Sequence, residues 1–258
     1  MGTGAITQYI DLAQVVLYLF WAFFAALVLY IRREDKREGY PLESDRSAYI
    51  KVQGFPAMPQ PKTFHLRDGT TRTAPRAEAP LGPIAAEPSA PWPGAPLEPT
   101  GNPMVDGVGP ASYGNRADVP DHTFEGHNRI VPLRVCPQHA LDPKDASPLG
   151  MTVYGADRKP AGIVVDAWVD LTEPHVRYLE LELTDDAGGR HVLLPVYFAR
   201  IRRSPARVQV ASILAHQFAD VPGLKQPDQV TLLEEDRICA YYGGGRLYAV
   251  PERQEPFV

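Results

Sequence analysis

Between Leu12 and Ile31 the chain reads LAQVVLYLFWAFFAALVLYI, 20 residues without a formal charge. At about 1.5 Å per residue, such a run crosses a hydrocarbon core of about 30 Å as a single helix. No Lys or Arg precedes Arg32, so the basic start of a cleavable signal is missing, and the apolar run passes straight into charge. The expectation is an uncleaved anchor. Directly after it come Arg32, Arg33, Lys36 and Arg37. By the positive-inside rule, residues 1–11 then face the periplasm and the chain beyond the span faces the cytoplasm. The same four cations lie where anionic lipid headgroups would sit, which makes them candidates for membrane contact as well as topology determinants. Gln14, Tyr18 and Trp21 share one helical face. An amide near hydrocarbon is costly without a hydrogen-bond partner, so this stripe suits a neighbouring protein.

The formal charge of −5 over 258 residues is mild. Basic residues dominate no long stretch, so the electrostatic footprint of a nucleic-acid binder is missing. Cys136 and Cys239 stand far apart with no CxxC spacing, which suggests two ordinary thiols in a reducing compartment and neither a zinc site nor a disulfide framework. Between Pro41 and Pro120 lie 15 of the 27 prolines, which excludes regular helix over most of residues 32–120. This segment is expected to be extended and irregular, with residues 73–95 disordered in an isolated chain. Yet Phe55, Met58, Phe64, Leu66, Trp92, Leu97, Met104, Val108 and Tyr113 each need cover. The segment is therefore expected to lie flat on a partner or on the domain that follows.

From about Gly150 the pattern is β. GIVVDAWVD (162–170), VRYLELEL (176–183), HVLLPVYFARI (191–201) and RVQVAS (207–212) are rich in branched and aromatic residues, and Asp185 to Gly189 is turn chemistry. Tyr178, Glu180 and Glu182 alternate with Leu179, Leu181 and Leu183, one face polar and the other apolar. SILAHQFADVP and VTLLEEDRICAYYGGG read as two short helices, the second ended by Gly243, Gly244 and Gly245, with RLYAV as a closing strand. The predicted fold is a single N-terminal transmembrane α-helix plus a mainly β cytoplasmic domain over 121–258, a small barrel with short C-terminal helices.

No phosphate loop, HExxH, GxSxG or paired CxxC is present. The polar groups that stand out are Asp121, His122, Glu125 and His127 in one loop, and Asp170, Glu173 and His175 at the end of the tryptophan strand. Carboxylates mixed with imidazoles suit proton relay or weak divalent-cation binding, but ordinary solvated loop charge is the reading that the residues by themselves favour.

Seven ordered blocks resemble one family: RREDKREGYPLE (32–43) after the span, PKTFHL (61–66), PTGNPMVDGVGPASY (99–113), GHNRIVPL (126–133), VVDAWVD (164–170), RYLELEL (177–183) and LLEEDRICAYYGGGRLYAVP (232–251). The chain resembles the H subunit of the purple-bacterial photosynthetic reaction centre, whose soluble part is a PRC-barrel. The resemblance implies a single-pass protein of the photosynthetic inner membrane that binds no pigment or metal itself. It would cap the cytoplasmic face of the L and M subunits, which carry bacteriochlorophyll, bacteriopheophytin, quinones and non-haem iron. Antenna polypeptides, a cytochrome subunit and membrane lipids are further partners it implies, and nucleic acid is not. Family members conduct protons toward the secondary quinone. His127 matches the GHN histidine of the family, and Asp170 and Glu173 match the two acids after the tryptophan strand. Glu125 stands where the best-known pattern has another histidine, and Thr123 where it has an acid, so a metal-binding entry cluster does not carry over and Glu125 enters only as a proton-transfer candidate. A PRC-barrel adaptor without a photosynthetic role would share the strands but lack the 32–43 block. A membrane-tethered enzyme would show turnover in isolation.

Overall fold

The computed structural model describes residues 6, 11–40, 42–43, 51–75, 83–92, 94–173, 175–184 and 189–254. Most of the expected periplasmic N-terminus, Pro174 and the turn at residues 185–188 lie outside the described residues. The chain divides into two compact units, residues 1–82 with 90–96, and residues 83–89 with 97–258.

In the first unit, α1 (Leu12–Glu34) spans 23 residues and begins where the Asp11 carboxylate accepts the backbone N–H of Gln14 at 2.7 Å. None of its residues is buried, so it presents an apolar surface that only a bilayer or a partner can cover. The amide of Gln14 donates to the Tyr18 hydroxyl at 2.9 Å within the same helix. One of its N–H groups is met locally, and its side-chain carbonyl oxygen has no partner among the described residues.

After α1 the chain tightens into a 3-10 turn, Asp35–Arg37. Lys36 is buried, donates to the carbonyls of Gln53 and Pro56, and lies 5.1 Å from the centre of the Tyr40 ring. Arg37 pairs with Glu34 at 2.9 Å and donates to the carbonyls of Gln60 at 2.6 Å and Ala74 at 3.0 Å. These two cations therefore clamp the segment after the helix, and burial withdraws Lys36 from lipid. Arg32 and Arg33 are exposed. Short antiparallel pairs break the Pro-rich stretch: β1 (Leu42–Glu43) with β2 (Lys51–Val52), and β3 (Lys62–His65) with β4 (Thr71–Ala74). Phe55, Phe64, Leu66 and Trp92 remain exposed.

The second unit opens with the pair β5 (Ala86–Pro88) and β6 (Leu97–Pro99), then the one-turn α2 (Pro103–Asp106), capped by Asn102. Its main sheet has seven strands: β7 (Ile130–Pro132), β8 (Thr152–Tyr154), β9 (Pro160–Asp170), β10 (His175–Leu183), β11 (His191–Pro195), β12 (Ala199–Arg202) and β13 (Arg207–Val210). The order is β11-β10-β9-β8-β13-β12, with β7 also on β9. Only β13 and β8 run parallel. The pairing path does not close on itself among the described residues. A 3-10 turn, Val196–Phe198, divides the strand expected over 191–201.

The C-terminal part corrects the sequence reading. SILAHQFADVP forms only a 3-10 turn, Ala215–Asp220, while α3 (Leu232–Tyr248) runs straight through the glycine triplet and takes up most of the expected closing strand. Thr231 and Glu234 cap its start reciprocally. A Cβ on Gly244 would stand 2.5 Å from that of Ala111, and one on Gly245 would stand 2.4 Å from Ile213 Cγ2. The glycines are notches that let α3 approach its neighbours, so they do not end it. Met104, Val108 and Ala111 are buried with this unit, and α2 and the turn Gly109–Ala111 pack on α3. The core is centred on Trp168, Leu179, Leu181, Leu194, Ile238 and Tyr242.

Candidate functional site

Asp170 ends the longest strand, with His175 of β10 on one side and Ile130 of β7 on the other. That central register buries its side chain completely. A buried carboxylate needs partners, and Asp170 is surrounded by them. Arg129 forks onto it at 3.0 to 3.1 Å, Arg177 stands 3.8 Å away, and Asp121 holds the far side of Arg129 at 3.3 Å. Oδ1 also accepts the Thr172 N–H at 2.9 Å, the Thr172 hydroxyl at 2.7 Å and the Glu173 N–H at 3.2 Å. Burial pushes the Asp170 carboxyl upward, but Arg129, Thr172 and the backbone donors outweigh it and hold the group well below the usual carboxylate range. Asp170 is thus a fixed anion that folds the Leu171–Glu173 turn around itself.

Glu173 is exposed at the tip of that turn. Glu125 and His127 are exposed in a loop closed by two hydrogen bonds, Thr123 N–H to the His127 carbonyl at 2.8 Å and Gly126 N–H to the Thr123 carbonyl at 3.0 Å. This loop and the turn meet at an open hollow of about 450 Å³ whose lining includes Glu125, His127, His139 and Thr172. The two clusters separated by more than forty residues in sequence are therefore neighbours. His175 belongs elsewhere, in a second hollow with Leu179 and Ile201. Among the described residues, no group of three or more His, Cys, Asp or Glu side chains is placed to hold a metal ion.

Two polar groups escaped the sequence reading. The alternation along β10 assigns Glu180 to a polar face, yet it is buried. It accepts from Arg134 at 2.5 Å and from the Trp168 indole at 2.8 Å, and its other oxygen lies 2.6 Å from His191 Nδ1. Asp166 sits directly across from it in the sheet and shares Arg134 at 3.0 Å. Burial would raise Glu180, but these donors outweigh it and lower it. Opposed carboxylates on neighbouring strands repel unless a cation is shared, so the Glu180–Asp166 register is the signal that would have called for Arg134. The second group is Glu235 on α3, which accepts the Tyr178 hydroxyl at 2.7 Å. Burial raises its carboxyl above the ordinary value despite that bond.

Residues 4–135 match the family model described as the photosynthetic reaction centre H-chain N-terminal region, which covers half of the chain. This chain belongs to the photosynthetic reaction centre H-chain family. A second match, to the PRC-barrel domain, spans residues 144–214 of this H chain and takes in β8 to β13. The membrane-anchoring helix and the loop carrying Glu125 and His127 fall in the first match, Asp170 and Glu173 in the second. The H-chain family contributes a structural subunit that associates with the partner subunits of the reaction centre, and α1 supplies a helix apolar and long enough to anchor it in the membrane.

Proposed function

We propose that this H chain caps the cytoplasmic face of the L and M subunits, performs no catalysis of its own, and conducts protons toward the secondary quinone. In this reading the L and M subunits carry the bacteriochlorophyll, bacteriopheophytin, quinones and non-haem iron. The orientation has the N-terminus in the periplasm, following the cations that flank α1 on its C-terminal side.

The observation that carries the proton-conducting part is the Asp170 turn. Two acids three residues apart have opposite environments. One is buried and locked as an anion, the other is exposed and held in place by the first through its backbone N–H. Pairs of carboxyls divided in this way suit separate roles. Asp170 is the positioning residue and the source of a fixed negative potential. Glu173 is the acid of the pair that solvent reaches. Glu125 and His127, at the same hollow as the turn, extend the exchangeable set outward.

Glu173→Gln preserves shape and removes the titration. In complexes assembled with pigmented L and M chains, the expected result is slower flash-induced proton uptake and slower second-electron transfer to the secondary quinone, with charge separation and assembly intact. Wild-type rates across the pH range would remove Glu173 from the path.

A further inference from the structure

The β12–β13 hairpin carries a charge that proton conduction does not use. Residues 191–219 hold Arg200, Arg202, Arg203 and Arg207 and no Asp or Glu, within a chain of net charge −5. The register sets Arg200 opposite Gln209, Ile201 opposite Val208 and Arg202 opposite Arg207. With a side-chain period of two, Arg200, Arg202, Arg207 and Gln209 share one face, while Val208 and Ile201 turn to the core. Like charges directly opposite one another destabilise a sheet. Here they are left uncompensated. The Nε atoms of Arg202 and Arg207 are buried without a partner, and no carboxylate pairs with any of the four arginines among the described residues.

Beside this face lies an open groove of about 760 Å³ lined by Tyr197, Phe198, Arg200, Ser212, Arg246 and Arg253, among others, and, among the described residues, by no acid. Arg253 is fixed there by the carbonyls of Ser212 and Gly245 at 2.6 Å and of Ala211 at 3.0 Å. Arg246 stands over the Phe198 ring at 5.3 Å and has no carboxylate partner among the described residues. Ser212 is 3% exposed, and its hydroxyl is buried without a hydrogen-bond partner among the described residues. A buried unpaired hydroxyl is disfavoured unless something bonds to it. Three guanidinium groups and an orphaned hydroxyl thus belong to one hollow that carries net positive charge, with Gln209 and Tyr197 as its neutral polar lining.

We propose that this groove is a binding site for a phosphate group, either free or as the phosphoester of a lipid headgroup. Guanidinium forks match both carboxylate and phosphate. Three cations with an additional hydroxyl exceed what a single carboxylate can use and suit the larger charge and the tetrahedral set of acceptors on phosphate. Because the groove is open, the attraction should weaken as salt rises.

The test is calorimetric titration of the full-length chain in a neutral detergent, at constant ionic strength, with inorganic phosphate, with short-chain phosphatidylglycerol below its micelle concentration, and with acetate. The expected result is saturable binding of phosphate, phosphatidylglycerol or both, and the tighter of the two identifies the source. Arg246→Gln and Arg200→Gln should each weaken it about tenfold or more, and Arg246→Lys less. Arg116→Gln, which removes an arginine already paired with Asp236, should leave it unchanged. Unaltered thermal melts would show that each variant is folded. Absence of saturable heat with either phosphate ligand would overturn the proposal. So would equal binding of acetate, or binding that survives the Arg200→Gln, Arg246→Gln double variant.

Discussion

Asp170 illustrates how a buried charge becomes a structural device. Its folded-state affinity for protons lies below its value in the unfolded chain, so the stability it contributes is fully present above the unfolded value of about 4 and is lost as the pH falls below it. Asp170→Asn keeps an oxygen for the Thr172 and Glu173 donors but leaves Arg129 with only the outer carboxylate of Asp121 as counter-charge. Arg129 is partly exposed, and solvent moderates the damage to about 1–3 kcal/mol at neutral pH. Denaturant titrations at pH 7 and near pH 3 should show the gap between wild type and variant closing on acidification; a gap independent of pH would contradict the assignment. In assembled complexes, this variant should slow proton uptake while keeping the shape of its pH profile, because the exchanging group remains. Glu173→Gln should change the shape itself. The spacing of Asp170 and Glu173 and the mixture of acids with His127 were legible in the sequence, because local chemistry near a strand end marks them. Glu180 was not. Its burial depends on Arg134, 46 residues away, and a period-two pattern reports only which face a residue shares, not what covers that face.

At the scale of elements, β9 and β10 were readable because branched residues, alternation and flanking turns agree over many positions. The pairs β1–β2, β3–β4 and β5–β6 were not, since strands of two to four residues are too short to display a period. The path of α3 was misread for a different reason. A run of glycines signals a helix end locally, and only the closeness of Ala111 and Ile213 overrides that signal. This gives a graded prediction along three consecutive positions. A Cβ on Gly243 meets only the Pro110 carbonyl at 3.5 Å, an ordinary contact, so Gly243→Ala should gain up to about 1 kcal/mol from helix propensity. Gly245→Ala drives its methyl against Ile213 and the Ser212 carbonyl at 2.7 Å, and overpacking of this kind costs about 1–3 kcal/mol, more than propensity returns. Gly244→Ala, against Ala111, should resemble Gly245→Ala. Thermal melts of the three variants that failed to separate Gly243 from the other two would mean that α3 does not pack as described.

For the whole molecule, the division into two units sets what α1 contributes. The second unit contains its own sheet, α3 and a contiguous apolar core, so its fold does not require the span. α1 buries nothing, and its service is to confine the rest of the chain to the membrane. Confinement converts docking on partner subunits from a three-dimensional encounter into one at high effective concentration, which raises apparent affinity by about 10²–10⁴ without a new contact. The exposed Phe55, Phe64 and Trp92 of the first unit give partner subunits apolar surface to cover, but no single one of them supplies a gain of that size. Removal of residues 1–31 should therefore leave a soluble chain whose β signature and thermal melt match those of the full-length protein. Its affinity for membrane-embedded L–M core should fall by at least about 100-fold, whereas Trp92→Ala in the full-length chain should weaken assembly far less. The comparison is made by titrating each form onto the same membrane-embedded core and reading the bound fraction. If the truncated chain saturates the core at the concentration the anchored one needs, docking energy resides in the contacts of the soluble units, and α1 serves only to deliver the chain to the membrane.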